Sequence, residues 1–199
     1  MKAEPSSVDK GPGAGRPRDP RIDAAILKAA AELVVEVGYS NLSLAAVAER
    51  AGTTKTALYR RWPSKAELVH EAAFSVPPTA VTAPPGDVAG DLRAMMAGAR
   101  DAFTSPVVRA ALPGLIADMA GNAELTARIL ERFAGLFEVM RGWVADSVRR
   151  GDARDVDPGR LVELIGGATL LGMLLRPDDD LGGDWVERIA DIIAHGVMA

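Results

Sequence analysis

The chain has 199 residues, 48% of them hydrophobic and 25% charged, with 5% aromatics, no cysteine and a formal net charge of −4. This length suits one small domain joined to a larger one, and the lack of cysteine excludes disulfides and thiolate metal sites. The charge is uneven: residues 50–65 hold Arg50, Lys55, Arg60, Arg61 and Lys65 with no acid among them, so one local surface is suited to phosphate despite the acidic whole.

Residues 1–18 are rich in Pro, Gly, Ser and charge and read as a disordered basic arm carrying Arg16 and Arg18; they lack the apolar run of a signal peptide. Asp19-Pro20 is an N-cap followed by a first-turn proline. The helix it opens places Ile22, Ile26, Leu33 and Val37 on one side and ends at Gly38. Ser43 opens a short helix over 44–51, stopped by Gly52. A third runs from about Thr54 to Arg61 with Leu58 facing inward, and Pro63 breaks it. Ser64 to Glu67 is a capping box opening a fourth helix that runs to about Ser75. Residues 19–75 form one expected domain. Residues 76–86, with four prolines, form the linker behind it.

A second domain is expected over 87–199, with helices at about 87–104, 106–120, 122–150, 158–175 and 183–197. The breaks between them are Pro106, Gly121, Gly151 with Pro158, and the loop from Pro177 to Gly183. No segment alternates as a strand does, so the fold class is all-α. The most apolar stretch, Leu164 to Leu175, is about twelve residues, short of the ~20 of a membrane span, and the expected location is cytoplasmic.

Ser43 to Lys65 carries the most information. Two short helices joined at a glycine turn, behind a longer amphipathic one, match the three-helix arrangement of DNA-reading domains. Val47, Ala48, Ala51, Leu58 and Trp62 supply its small core. Thr53, Thr54, Lys55, Thr56, Tyr59 and Arg60 remain on the outer side of the third helix. Short hydroxyls, long cations and a phenol are groups that grip base edges and phosphates.

Over about residues 20–75 the sequence resembles the TetR family of regulators, most strongly in Lys55-Thr-Ala-Leu-Tyr59-Arg-Arg-Trp62-Pro-Ser-Lys65-Ala-Glu67-Leu68, with Gly38-Tyr39 and Ala51-Gly52 upstream. The resemblance implies that Ser43 meets a phosphate and that Thr54, Lys55 and Thr56 enter the major groove. It implies also that Tyr59 packs on the sugar-phosphate and that Lys65 clamps the backbone. Arg60 is expected to add a phosphate or guanine contact, and the arm with Arg16 and Arg18 to follow the minor groove. Trp62, Arg61 and Thr53 depart from the commoner family residues. Arg61 and Thr53 are expected at the DNA-facing end, which leaves the operator preference open.

By the same resemblance, the second domain encloses an effector pocket, for which Met95, Met96, Phe103, Met119, Phe133, Phe137, Met140 and Trp143 are the candidate lining. Arg100, Asp118, Asn122 and Arg141 are the few polar candidates nearby. Leu161, Leu164, Ile165, Ala168, Leu171 and Leu175, with Trp185, Ile189 and Ile193, form the expected dimer interface around a two-fold axis. His70 and His195 have no partner at metal-ligand spacing, so no metal or cofactor is expected. With no paired acid–base or phosphate-cradling motif, no catalysis is expected. The resulting expectation is a homodimeric regulator, and more specifically a repressor, that leaves a near-palindromic operator on binding a small effector. The alternative is a small helical ligand-binding or carrier protein whose basic N-terminus meets a protein partner.

Overall fold

The computed structural model describes residues 19–74 and 87–198; the arm with Arg16 and Arg18, and the linker, lie outside the described residues. Ten α-helices follow one another, with no strand among the described residues. Four form the N-terminal head: α1 (Pro20–Asn41), α2 (Leu44–Arg50), α3 (Lys55–Tyr59) and α4 (Lys65–Ala73). Six form the remainder: α5 (Val88–Thr104), α6 (Pro106–Ala120), α7 (Ala123–Arg132), α8 (Ala134–Arg150), α9 (Pro158–Leu175) and α10 (Gly183–Val197). The chain is all-α, as its periodicity indicates.

Local chemistry explains most of the boundaries. Side chains of Asp19, Ser43, Thr54, Ser64, Asp87, Ser105, Asn122 and Asp157 each accept a hydrogen bond from a backbone N–H one turn on, satisfying a group the helix cannot. Gly38 interrupts α1 at φ 76°, and Gly151 ends α8 at φ 79°, a left-handed region that glycine enters at little cost.

The expected single helix over 122–150 is instead two. Phe133 carries φ −84° and ψ −3° between α7 and α8, although neither glycine nor proline stands there. α7 uses Arg128 and Arg132 to pair with α4, whereas α8 packs on α9. One straight rod cannot serve both.

The buried side chains divide into two cores. The first joins α1 to α4 with Ala111 and Leu115 of α6 and Leu125 and Ile129 of α7. The second is built from α5, α8, α9 and α10 around Leu92, Met96, Val144, Leu161 and Trp185. The head therefore shares its core with two helices from beyond the linker.

One contact in the first core is especially close. A Cβ placed on Gly114 of α6 would stand 2.1 Å from the Tyr39 ring, and that ring is buried. Gly114→Ala should therefore destabilise the protein by about 1–3 kcal/mol through overpacking, despite the usual helical gain from alanine. Urea unfolding reads the change.

Candidate DNA-reading surface and its coupling to the helical bundle

α3 is only five residues long, so position alone decides which side chains it presents. Leu58 is fully buried, anchoring the helix against α1 and α2. Thr54, Lys55, Thr56, Tyr59 and Arg60 are exposed on the other side, and Thr53 is half-buried. Tyr59 is 51% exposed, so its ring is not part of the small core. Ser43, at the start of α2, is exposed as well. The hydroxyls of Ser43 and Thr54 accept from the backbone N–H groups of Ala46 and Ala57, which leaves each hydroxyl proton free to donate.

The five cations of the basic stretch are not equivalent. Arg50 pairs with Glu36 through two bonds of 2.6 and 2.8 Å. Arg61 is expected at the DNA-facing end, but the structure corrects this. Its side chain is only 5% exposed and pairs with Asp23 of α1, while it also donates to the Ala57 carbonyl. Arg61 pins α3 to α1. The Lys65 ammonium donates to the Tyr39 carbonyl at 3.1 Å and lies 4.3 Å above the Tyr39 ring, so it enters any DNA contact from a fixed position. Lys55 and Arg60 have no ion pair among the described residues. They flank α3 and are the cations available to phosphate or base edges.

α4 connects this surface to the rest. Residues 66–70 are buried without interruption, so the helix is enclosed on every side. Two of its carboxylates meet two arginines of α7: Glu67 binds Arg128 at 3.1 Å and lies 3.7 Å from Arg132, and Glu71 pairs with Arg132. Glu71 also accepts the Trp62 indole N–H at 2.8 Å, which ties the end of the reading motif to the same latch. A second tie runs from α1 to α6, where the Tyr39 hydroxyl donates to Asp118. Burial and the Asp118 charge push the Tyr39 hydroxyl's pKa far up, so it stays a donor throughout the physiological range.

Sequence reasoning missed the latch. Its signal is present as equal spacing, Glu67 and Glu71 on one helix against Arg128 and Arg132 on another, since residues four apart share a helical face. His70, between the two glutamates, is 5% exposed, and neither ring nitrogen has a hydrogen-bond partner. Burial, seconded by Arg132 and opposed by Glu71, pushes its pKa down to about 4. The imidazole is neutral at pH 7.

Two stretches of the chain match known protein families. Residues 26–72 match the model of the N-terminal domain of bacterial regulatory proteins of the tetR family, and residues 83–193 match that of the tetracyclin repressor-like C-terminal domain. The chain belongs to the TetR family. It is a DNA-binding transcriptional regulator by that membership, and its relatives are regulators and not enzymes. The HTH-type transcriptional regulator YdeS of Bacillus subtilis is 25% identical over 191 residues, covering 93% of this chain and 94% of the relative. A chain solved in work on the control of antibiotic production by bacterial hormones superposes with a TM-score of 0.63 at 25% identity, covering 92% of this chain and all of that one. NalD, the secondary repressor of the MexAB-OprM multidrug efflux pump in Pseudomonas aeruginosa, shares the fold with a TM-score of 0.54 at 22% identity, over 90% and 96% of the two chains.

In this TetR-family chain the expected pocket lining does not converge on one place. Met96 and Met140 are buried in the second core, with Met95 and Trp143 packed against it. Met119 and Phe133 pack against the first core. Phe103 meets Phe74 of the α4 cap, and Phe137 lies beside Gly159. The polar candidates are occupied: Arg100 donates to the Leu181 carbonyl, Asp118 accepts from Tyr39, Asn122 caps α7 and Arg141 pairs with Glu138.

The expected interface stripe also divides. Leu161, Ile165, Trp185 and Ile193 are buried in the subunit's own second core, so they are not a surface for a partner. The reason is that α9 is apolar nearly all round, and its inner side packs on α5 and α8. Leu164, Leu171 and Leu175 stand 56–73% exposed on its other side, joined by Leu174 and by Ile192 of α10. Ala168 and Ile189 are half-buried. Gly172 of α9 leaves room for the Trp185 ring of the same chain.

Proposed function

We propose that the protein is a homodimeric repressor that leaves a near-palindromic operator when a small apolar or amphipathic effector binds its C-terminal half. The observation that carries this reading is the outward face of α3, where Thr54, Lys55, Thr56, Tyr59 and Arg60 are exposed while Leu58 is fully buried behind them. Two such faces, one from each copy, enter successive major grooves at a spacing of roughly 34–36 Å. Ser43 and Lys65 hold phosphates on either side, and the arm with Arg16 and Arg18 follows the minor groove.

The exposed side of α9 supports pairing. Its 18 residues have a mean hydropathy of 1.3, which by length and composition alone would let it cross a membrane, yet only 28% of them are buried in one subunit. A helix that apolar needs a cover. A second copy presenting the same leucines, alongside Ile192 of α10, forms a four-helix seam about a two-fold axis. Repression needs no chemical step, because a dimer seated on a promoter obstructs polymerase. The hormone context of the relative at 25% identity supports a diffusible effector, and a cytoplasmic location follows from the target.

Sequencing DNA fragments selected by the purified full chain tests the reading. A two-fold symmetric site with half-sites one helical turn apart is the expected outcome. Recovery of no enriched sequence at moderate salt would sink it.

A further inference from the structure

We propose that His70 and the phenylalanines around it form the recognition end of the effector site, taking an uncharged, largely apolar ligand that bears one hydroxyl or carbonyl group. This rests on the effector-released reading above and names the place and the ligand class. Four rings meet at the site. His70 lies 5.1 Å from Phe74 and 5.0 Å from Phe133, and Phe74 lies 5.9 Å from Phe133 and 6.0 Å from Phe103. The three phenylalanines are each half-buried, so the cluster reaches the surface, whereas the imidazole behind them is enclosed.

The unmatched group is His70. Both ring nitrogens are buried without a partner, which costs free energy that a ligand's hydrogen bond recovers. A neutral imidazole offers one donor and one acceptor, and a single hydroxyl can satisfy either. The charges nearby are already matched, Glu67 and Glu71 with Arg128 and Arg132, so none is left to balance an ionised ligand among phenyl walls. A site holding an unpaired polar group discriminates against ligands that lack a partner for it.

Position supplies the lever. In chain order the helices change core three times: α4 belongs to the first core and α5 to the second, α6 and α7 to the first, and α8 to the second again. A phenylalanine of the cluster marks each one: Phe74 caps α4, Phe103 lies in the last turn of α5, and Phe133 is the break before α8. A ligand seated there touches the seam along which the cores can shift, beside the helix that carries the reading head. Unequal affinity for two arrangements of the seam is what an effector requires.

The test uses the full chain with phenol as the probe and toluene as its counterpart without a polar group. The chain has only two histidines, and His195 is exposed, so the imidazole nitrogen resonances sort into two sets. Phenol should move the His70 nitrogen signals and leave those of His195 in place. It should bind about tenfold tighter than toluene, and His70→Phe should bring the two ligands to near equality. Unmoved His70 signals in the wild type, which need no variant to fold, overturn the proposal. So does a phenol advantage that survives in His70→Phe. None of these measurements involves DNA, so a chain that selects no operator defeats the regulator reading separately.

Discussion

Leu171→Asp is expected to turn the proposed dimer into a monomer at micromolar concentration and to lower operator affinity by about a hundredfold or more. Leu171 is 56% exposed in one subunit, with Leu164, Leu174, Leu175 and Ile192 exposed at 57–73% around it. Each such side chain contributes about 1.5–3 kcal/mol when fully covered, and a two-fold seam covers each of them twice. A carboxylate at the centre would face its own copy, a repulsive and desolvated arrangement. The subunit fold should survive, because the residue does not belong to either core. Losing the second head removes the effective concentration that links two binding events, a factor of about 10²–10⁴. Sedimentation and fluorescence anisotropy with the selected operator read both effects. Leu130→Asp, also on an exposed position but on α7, serves as the control that stays dimeric. A Leu171→Asp protein that sediments like the wild type would remove α9 from the interface.

The second large effect is at the reading head. Lys55→Ala and Tyr59→Ala should each weaken operator binding by about tenfold or more, the lysine change also making the affinity less dependent on salt by about one counterion per subunit. Both side chains are exposed and have no hydrogen bond or ion pair among the described residues, so the melting temperature should move little. Arg61→Ala should behave in the opposite way. That side chain is buried against Asp23, and its loss strands a carboxylate and loosens α3 from α1. A drop in melting temperature should precede any change in binding. If Arg61→Ala weakened binding with no loss of stability, its assignment as a pin would be wrong.

The contrast between these residues explains how far the sequence could be read. α9 and α10 have the limits their punctuation indicates, because proline, glycine and acidic caps act within one turn and need nothing from afar. The reading motif was legible for the same reason, since its spacing is local. Arg61 was not, because its partner Asp23 lies 38 residues away. The break at Phe133 was hidden too, as it comes from the different destinations of α7 and α8 and not from a breaker residue. In α9 the two apolar faces look alike in sequence, and only the placement of α5 and α8 decides that Leu161 goes inward and Leu164 outward. The candidate pocket suffered similarly. Methionine and aromatic spacing identifies apolar surface, but the division of those residues between two cores is a tertiary outcome.

The placement of Ala111, Leu115, Leu125 and Ile129 among the residues of the head bears on how such a protein can be recombined. A chimaera cut at the linker would carry a reading head stripped of one wall, with Tyr39 separated from Gly114 and Asp118 of α6, and Glu67 and Glu71 from Arg128 and Arg132 of α7. Exchanging operator preference between relatives therefore calls for a graft that transfers α6 and α7 with the first four helices, or that confines itself to the outer residues of α3.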